Sequence, residues 1–160
     1  TPNPAPTPLV TVRSKLPEYN LRDGDVFAAQ GSSDPDVYVV NNYGFKRLFL
    51  NPVIFSFYGH LSFNKIKAVL PATMDVFETS GLFRNCEVND PKVYVVEVTD
   101  EDTGILHHLN ISGSQANQES SDFFKKVFCV NSNEFNWYTS KGTVFGAPYN
   151  AINQIPHYKR

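Results

Sequence analysis

The residues in this chain best suited to chemistry stand in Thr99-Asp100-Glu101-Asp102-Thr103-Gly104, its one dense run of acids. Three neighbouring carboxylates in a turn offer the hard oxygen ligands that Ca²⁺ takes, which makes Asp100, Glu101 and Asp102 a candidate metal site. The alternating acids and closing Glu of an EF-hand loop are absent from it, and the bland reading is a solvated hairpin tip. His107-His108 follows at once. Neighbours on a strand point to opposite faces, so the pair does not chelate one ion and reads as a surface or half-buried pair. Cys86 and Cys129 are the only cysteines. They admit two readings: a bridge closing a long loop, worth roughly 3–4 kcal/mol in the chain-entropy model, or two buried free thiols packing as small hydrophobes. Tyr43, Tyr58, Trp137 and Tyr138 combine flat rings with polar tips and are candidate exposed contact residues for carbohydrate or protein. Asn110-Ile111-Ser112 is an N-glycosylation sequon. No nucleophile elbow, zincin helix, phosphate loop or dinucleotide fingerprint occurs, so no catalytic residue is assigned and no cofactor is implied. Asp34, Asp36 and Asp90 open strands and read as turn hydrogen-bonders.

The elements that position these residues repeat. Asp34-Pro35-Asp36-Val37-Tyr38-Val39-Val40 returns about 56 positions later as Asp90-Pro91-Lys92-Val93-Tyr94-Val95-Val96, and such self-similarity redefines the unit of folding. Further blocks keep the order: Gly44-Phe45-Lys46 with Gly104-Ile105-Leu106, Phe63 to Val69 with Phe124 to Val130, and Phe77-Glu78-Thr79 with Tyr138-Thr139-Ser140. The spacing grows because the second copy has the longer turn, Glu97 to Thr103, where the first has Asn41 to Tyr43.

Within each copy the signals are local. Val37–Val40 and Lys46–Leu50 flank Asn41-Asn42-Tyr43-Gly44 and predict a hairpin, with Asn and Gly supplying positive φ. Asn51-Pro52 predicts a helix start, with Val53, Ile54 and Phe57 as its apolar face and Gly59 as its end. Lys65–Leu70 alternates like a strand, and Pro71 to Thr79 reads as a short helix. In the second copy Ser112 to Ser121 is polar, which predicts a frayed or shortened helix or a loop. Asn131 carries a capping signal for a further helix bearing Phe135 and Tyr138. Gly-x-Val-Phe at Gly24 and Gly142, with a short form at Gly81, marks strands before each copy and at the end.

The fold class expected is therefore α+β, strand-rich: two tandem repeats of about 55–60 residues (β-hairpin, helix, strand, short helix, strand) sharing one core, since one copy buries too little alone. The divisions are 1–13, a Pro/Thr-rich linker or extended arm; 14–88, repeat 1; 89–148, repeat 2; and 149–160, a polar tail. Leu9–Arg13 within the arm alternates like a strand able to pair with a neighbouring chain. The chain opens on Thr1 without a leader pattern and reads as processed or excised.

The net charge of −2 gives no electrostatic argument for nucleic acid, and no run of about 18 apolar residues is present to span a bilayer. Aromatic content of 14% supplies large buried faces for a chain with 41% hydrophobic residues.

Val37-Tyr38-Val39-Val40, Gly44, Lys46-Arg47, Phe57-Tyr58-Gly59 and Asp90-Pro91-Lys92-Val93-Tyr94 together resemble a tandem repeat of bacterial secreted, surface-layer and cell-envelope proteins, over roughly residues 24–146. The resemblance implies an accessory module, often behind a Thr/Pro linker, and no catalytic residue travels with it. The second copy departs where His107-His108 replaces the Lys-Arg pair and where its first helix turns polar. The expected function is a non-catalytic extracellular or cell-surface module with a structural or adhesive role, whose partners are other copies of itself or envelope components. The alternatives are a filament or surface-lattice subunit assembling through its extended N-terminal arm, and a wall-glycan-active enzyme, which would require buried carboxylates of perturbed titration converging in space.

Overall fold

In a computed structural model the chain is described over residues 15–138 and 142–146. The proline-rich arm, the Leu9–Arg13 strand and the tail from Tyr149 lie outside the described residues. Among the described residues the backbone forms two sheets. The first has strands β1 (Val26–Ala29), β2 (Val37–Val40), β3 (Phe45–Phe49), β4 (Lys67–Val69) and β5 (Glu78–Thr79), in the order β4-β1-β2-β3-β5. The second has β6 (Leu82–Asn85), β7 (Val93–Asp100), β8 (Thr103–Leu109) and β9 (Val127–Val130), in the order β8-β7-β6-β9. The class is α+β and strand-rich.

Strand senses follow one scheme in both sheets. β1 pairs antiparallel with β2, β2 antiparallel with β3, β1 parallel with β4, and β3 parallel with β5. In the second sheet β6 pairs antiparallel with β7, β7 antiparallel with β8, and β6 parallel with β9, while Phe145 makes a parallel bridge to Leu109 on β8. The hairpin registers agree as well: Val37 faces Phe49 and Val39 faces Arg47, as Val93 faces Leu109 and Val95 faces His107. By register, then, His107 stands where Arg47 does and Leu106 where Lys46 does. The His-His pair is displaced by one residue from the Lys-Arg pair it was expected to replace. Leu82–Asn85, placed by sequence in the first unit, pairs with β7 and β9 and lies in the second sheet.

Turn chemistry accounts for both hairpins. Asn41 Oδ1 accepts the backbone N–H groups of Tyr43 and Phe45, each at 3.0 Å, and Gly44 takes φ +82°. Positive φ there falls to Gly44 alone; Asn41 acts as an Asx acceptor instead. In the longer second hairpin Asp102 takes the left-handed position, φ +64°.

The helices are short. α1 (Pro52–Ser56) begins with Asn51 Oδ1 accepting the Ile54 N–H at 3.0 Å, and it buries Ile54 and Phe55, leaving Val53 exposed. The expected apolar face is thus rotated, because a single turn capped at Asn51 aims positions 54 and 55 at the sheet. α2 (Pro71–Met74) is one turn, and the chain then straightens into β5. α3 (Gly113–Glu119) corrects the expectation of a frayed segment: it is the longest helix among the described residues. Ser112 and Gln115 close a capping box at its start, and Ala116 is its one buried residue. Capping satisfied the orphan N–H groups that a polar composition appeared to leave exposed. α4 (Ser132–Trp137) starts from Asn131, whose side chain accepts from Glu134 N.

One apolar cluster takes Phe27, Val40, Ile54 and Phe77 from the first half together with Phe83, Val96, Leu106, Phe128 and Tyr138 from the second. A smaller one, Leu82, Val95, Leu109, Ala116 and Phe123, packs elsewhere in the second half, against α3. Cys86 and Cys129 form a disulfide with a Cα–Cα distance of 5.3 Å, joining β9 to the residue after its neighbour β6.

Candidate functional site

Two polar constellations stand out, one buried and one open. The buried one centres on Glu134, which is fully enclosed. Asn131 caps α4 and so sets Glu134 at the third helical position, turned inward against β3. There Arg47, 2% exposed, meets it in a bidentate pair: Nη2 to Oε1 at 2.6 Å and Nη1 to Oε2 at 3.0 Å. Tyr58 donates to Oε1 at 2.5 Å and Tyr138 to Oε2 at 3.0 Å. The guanidinium lies 4.0 Å from the centre of the Phe49 ring and 5.1 Å from that of Phe83, so aromatic faces cover what the carboxylate does not.

Burial pulls the Arg47 guanidinium down, but Glu134 and the two phenols outweigh it and hold the group above its ordinary value. Burial first, and the Glu134 charge second, push both the Tyr58 and Tyr138 hydroxyls up. Every oxygen of Glu134 is thus occupied by donors. A carboxylate so held anchors a core; it has no lone pair directed at a substrate. Of the four candidate contact aromatics, Tyr58 is half-buried with its hydroxyl turned to Glu134, and the reading of Tyr138 as exposed is corrected: it is 3% exposed because its hydroxyl finds a buried acceptor. Trp137 is half-buried against the same core. Tyr43 is exposed at the first hairpin turn, beneath the Lys125 ammonium.

Lys46 is buried too. Its ammonium donates to Met74 O at 2.7 Å and to Phe77 O, capping the end of α2. Burial lowers its pKa, against the pull of Asp75 and Glu78. His107 likewise departs from the surface reading at 5% exposure. Nε2 lies 2.6 Å from Glu97 Oε2, Nδ1 lies 2.9 Å from Thr143 O, and the ring stacks on Phe145 at 4.6 Å. His108 points the other way, to Tyr94.

The open constellation is a cleft of about 500 Å³ between the start of β2, the β3–α1 junction and the tip of the β7–β8 hairpin. Leu48, Leu50, Phe55, Phe63, Val37 and Val98 give it an apolar lining, and Asp34, Asp36, Asp100, Glu101 and Asp102 surround it with carboxylates. Asn51 Nδ2 donates to Asp102 O at 3.0 Å and ties the hairpin tip to the start of α1. The three acids of the hairpin are thus brought into the cleft, but as a dispersed rim: among the described residues no group of three His, Cys, Asp or Glu side chains converges closely enough to hold a metal ion. Of the strand-opening acids only Asp90 makes the expected turn bond, accepting Lys92 N at 3.0 Å. Asp34 and Asp36 line the cleft.

A second cleft, about 340 Å³, occupies the corresponding place in the second half, lined by Pro91 to Val93, His108 to Gly113, Ala116, Phe123 and Phe124. Asn110, the sequon residue, is exposed on its margin, with its N–H bound to Phe145 O at 2.7 Å. Sequence reasoning singled out neither Glu134 nor the first cleft. The available signal was charge in an apolar setting, Phe45-Lys46-Arg47-Leu48-Phe49, which demands buried partners; the identity of those partners, and the placing of Asp36 and Asp102 around one cleft, are long-range facts.

No family model, curated protein or solved structure matches this chain. Among the described residues no helix is long and apolar enough to cross a membrane.

Proposed function

We propose that this chain is a non-catalytic extracellular or cell-surface module with a structural or adhesive role, built from two tandem copies of one unit. The Cys86–Cys129 disulfide is the observation that carries the reading, because such bonds persist in oxidising compartments. The shared scheme of strand senses and the matching hairpin registers support duplication. The structural role draws support from the cage around Glu134, where a fully buried carboxylate ties α4 of the second half to β3 and Tyr58 of the first.

The test is thiol trapping of protein taken from its native source. Alkylation before and after reduction should show both cysteines protected until reductant is added. Two freely alkylated thiols in the native protein would remove the extracellular assignment. Reduction of the folded protein should lower its unfolding free energy by about 3–4 kcal/mol, as expected for a loop of this length, read by denaturant titration.

A further inference from the structure

We propose that the first cleft binds an extended peptide segment of a partner protein that alternates lysine or arginine with aliphatic residues. The proposal gives the adhesive part of the preceding reading a partner, and it rests on that part alone.

Three features of the cleft argue for this occupant. The lining is apolar, with Phe63 57% exposed at its margin and Leu48, Phe55 and Val98 beneath; aliphatic stems of basic side chains cover such surface while their charged ends reach outward. The volume falls inside the roughly 300–1,000 Å³ of ordinary ligand sites. The charge is of one sign: Asp34, Asp36, Asp100, Glu101 and Asp102 line the cleft, with no lysine or arginine among its described lining residues. Among the described residues none of these five forms an ion pair. The carboxylates are dispersed rather than gathered, which suits several cations spaced along a chain better than one ion. Complementary potentials of this kind select partners and speed their encounter.

The second cleft sharpens the point. At the positions matched by hairpin register, Lys92 stands for Asp36 and His108 for Leu48, so the acidic character is confined to the first cleft. The extra residues of the β7–β8 turn supply three of the five acids. An insertion in one copy has become a charged wall over the other.

The test uses fluorescence anisotropy of the full chain with a labelled Gly-Leu-Lys-Leu-Lys-Leu-Gly peptide. Saturable binding is expected, weakened about tenfold by Asp36→Asn with Asp102→Asn and unchanged by Lys92→Glu. Asn tolerates the left-handed backbone at position 102, so the double variant removes charge without straining the turn. Peptides with Gln for Lys, or with Ser for Leu, should each bind more weakly than the parent. Amide shift mapping on the unaltered chain should place the response at Val37 and Val98. Equal binding by the Gln or Ser peptide, competition by spermidine as effective as the peptide itself, indifference to the double variant, or shifts confined elsewhere would each overturn the proposal. Those results would leave the disulfide assay, and the structural reading it tests, standing.

Discussion

Glu134 and the acids of the first cleft are the same chemistry in opposite surroundings. Glu134 has no exposure and four hydrogen bonds from three residues; Asp36, Asp100, Glu101 and Asp102 are exposed. Solvent decides what each carboxylate does. The rim acids lie in solvent, and among the described residues none forms an ion pair, leaving them free to meet a cation from outside. In the core the same charge is tolerated only with a bidentate guanidinium and two phenols in place, and once so paired it is unavailable to anything else.

The largest break in that contrast comes from removing the buried acid. Glu134→Ala leaves Arg47 enclosed without its counter-charge and should cost about 3–5 kcal/mol in denaturant unfolding. Adding Arg47→Met to it should restore part of the loss, since two absent charges cost less than one unpaired one, and a double-mutant cycle measures the coupling. If Glu134→Ala unfolds like the unaltered chain, the cage has been assigned the wrong role.

Gly142→Ala tests the corresponding position of the second half. A Cβ there would lie 2.2 Å from His107 Cε1. That ring is held between Glu97, Thr143 and Phe145 and cannot swing aside. A loss of about 1–3 kcal/mol is expected, as for overpacking.

Alkaline pH separates the two regions more gently. Tyr58 and Tyr138 ionise in the unfolded chain near pH 10.0 but at higher pH when folded. The folded state therefore holds more protons above that point, and stability falls as pH rises past it. Lys46, with its folded pKa lowered, acts in the opposite sense: the unfolded chain holds the extra proton, so its contribution rises with pH up to 10.5. Burial raises the Tyr94 hydroxyl as well, so three phenols oppose one ammonium, and the net expected is a decline above about pH 10. Tyr58→Phe with Tyr138→Phe should flatten that decline in urea titrations across this range.

The smallest effect belongs to the rim. Asp36→Asn and Asp102→Asn should each change stability by less than about 0.5 kcal/mol, as surface substitutions do. A larger loss would show that the rim, like the core acid, is structural.

Much of the architecture was legible because its signals are local. Val37–Val40 and Val93–Val96 advertise strands by β-branched content, Asn41 and Gly44 announce the turn between β2 and β3, and Asn51 and Asn131 cap helices one turn away. The polar run after Ser112 misled, because a capping box outweighed poor helix composition within a few residues. Sequence by itself determined the strand-rich class and the starts of α1 and α4, which depend on neighbours along the chain. Only the tertiary structure decided that Arg47 meets Glu134, that Cys86 meets Cys129 and that Asp36 and Asp102 line one cleft, because such neighbours are chosen by which sheet faces close on each other, and residues far apart in the chain leave no local mark of that choice.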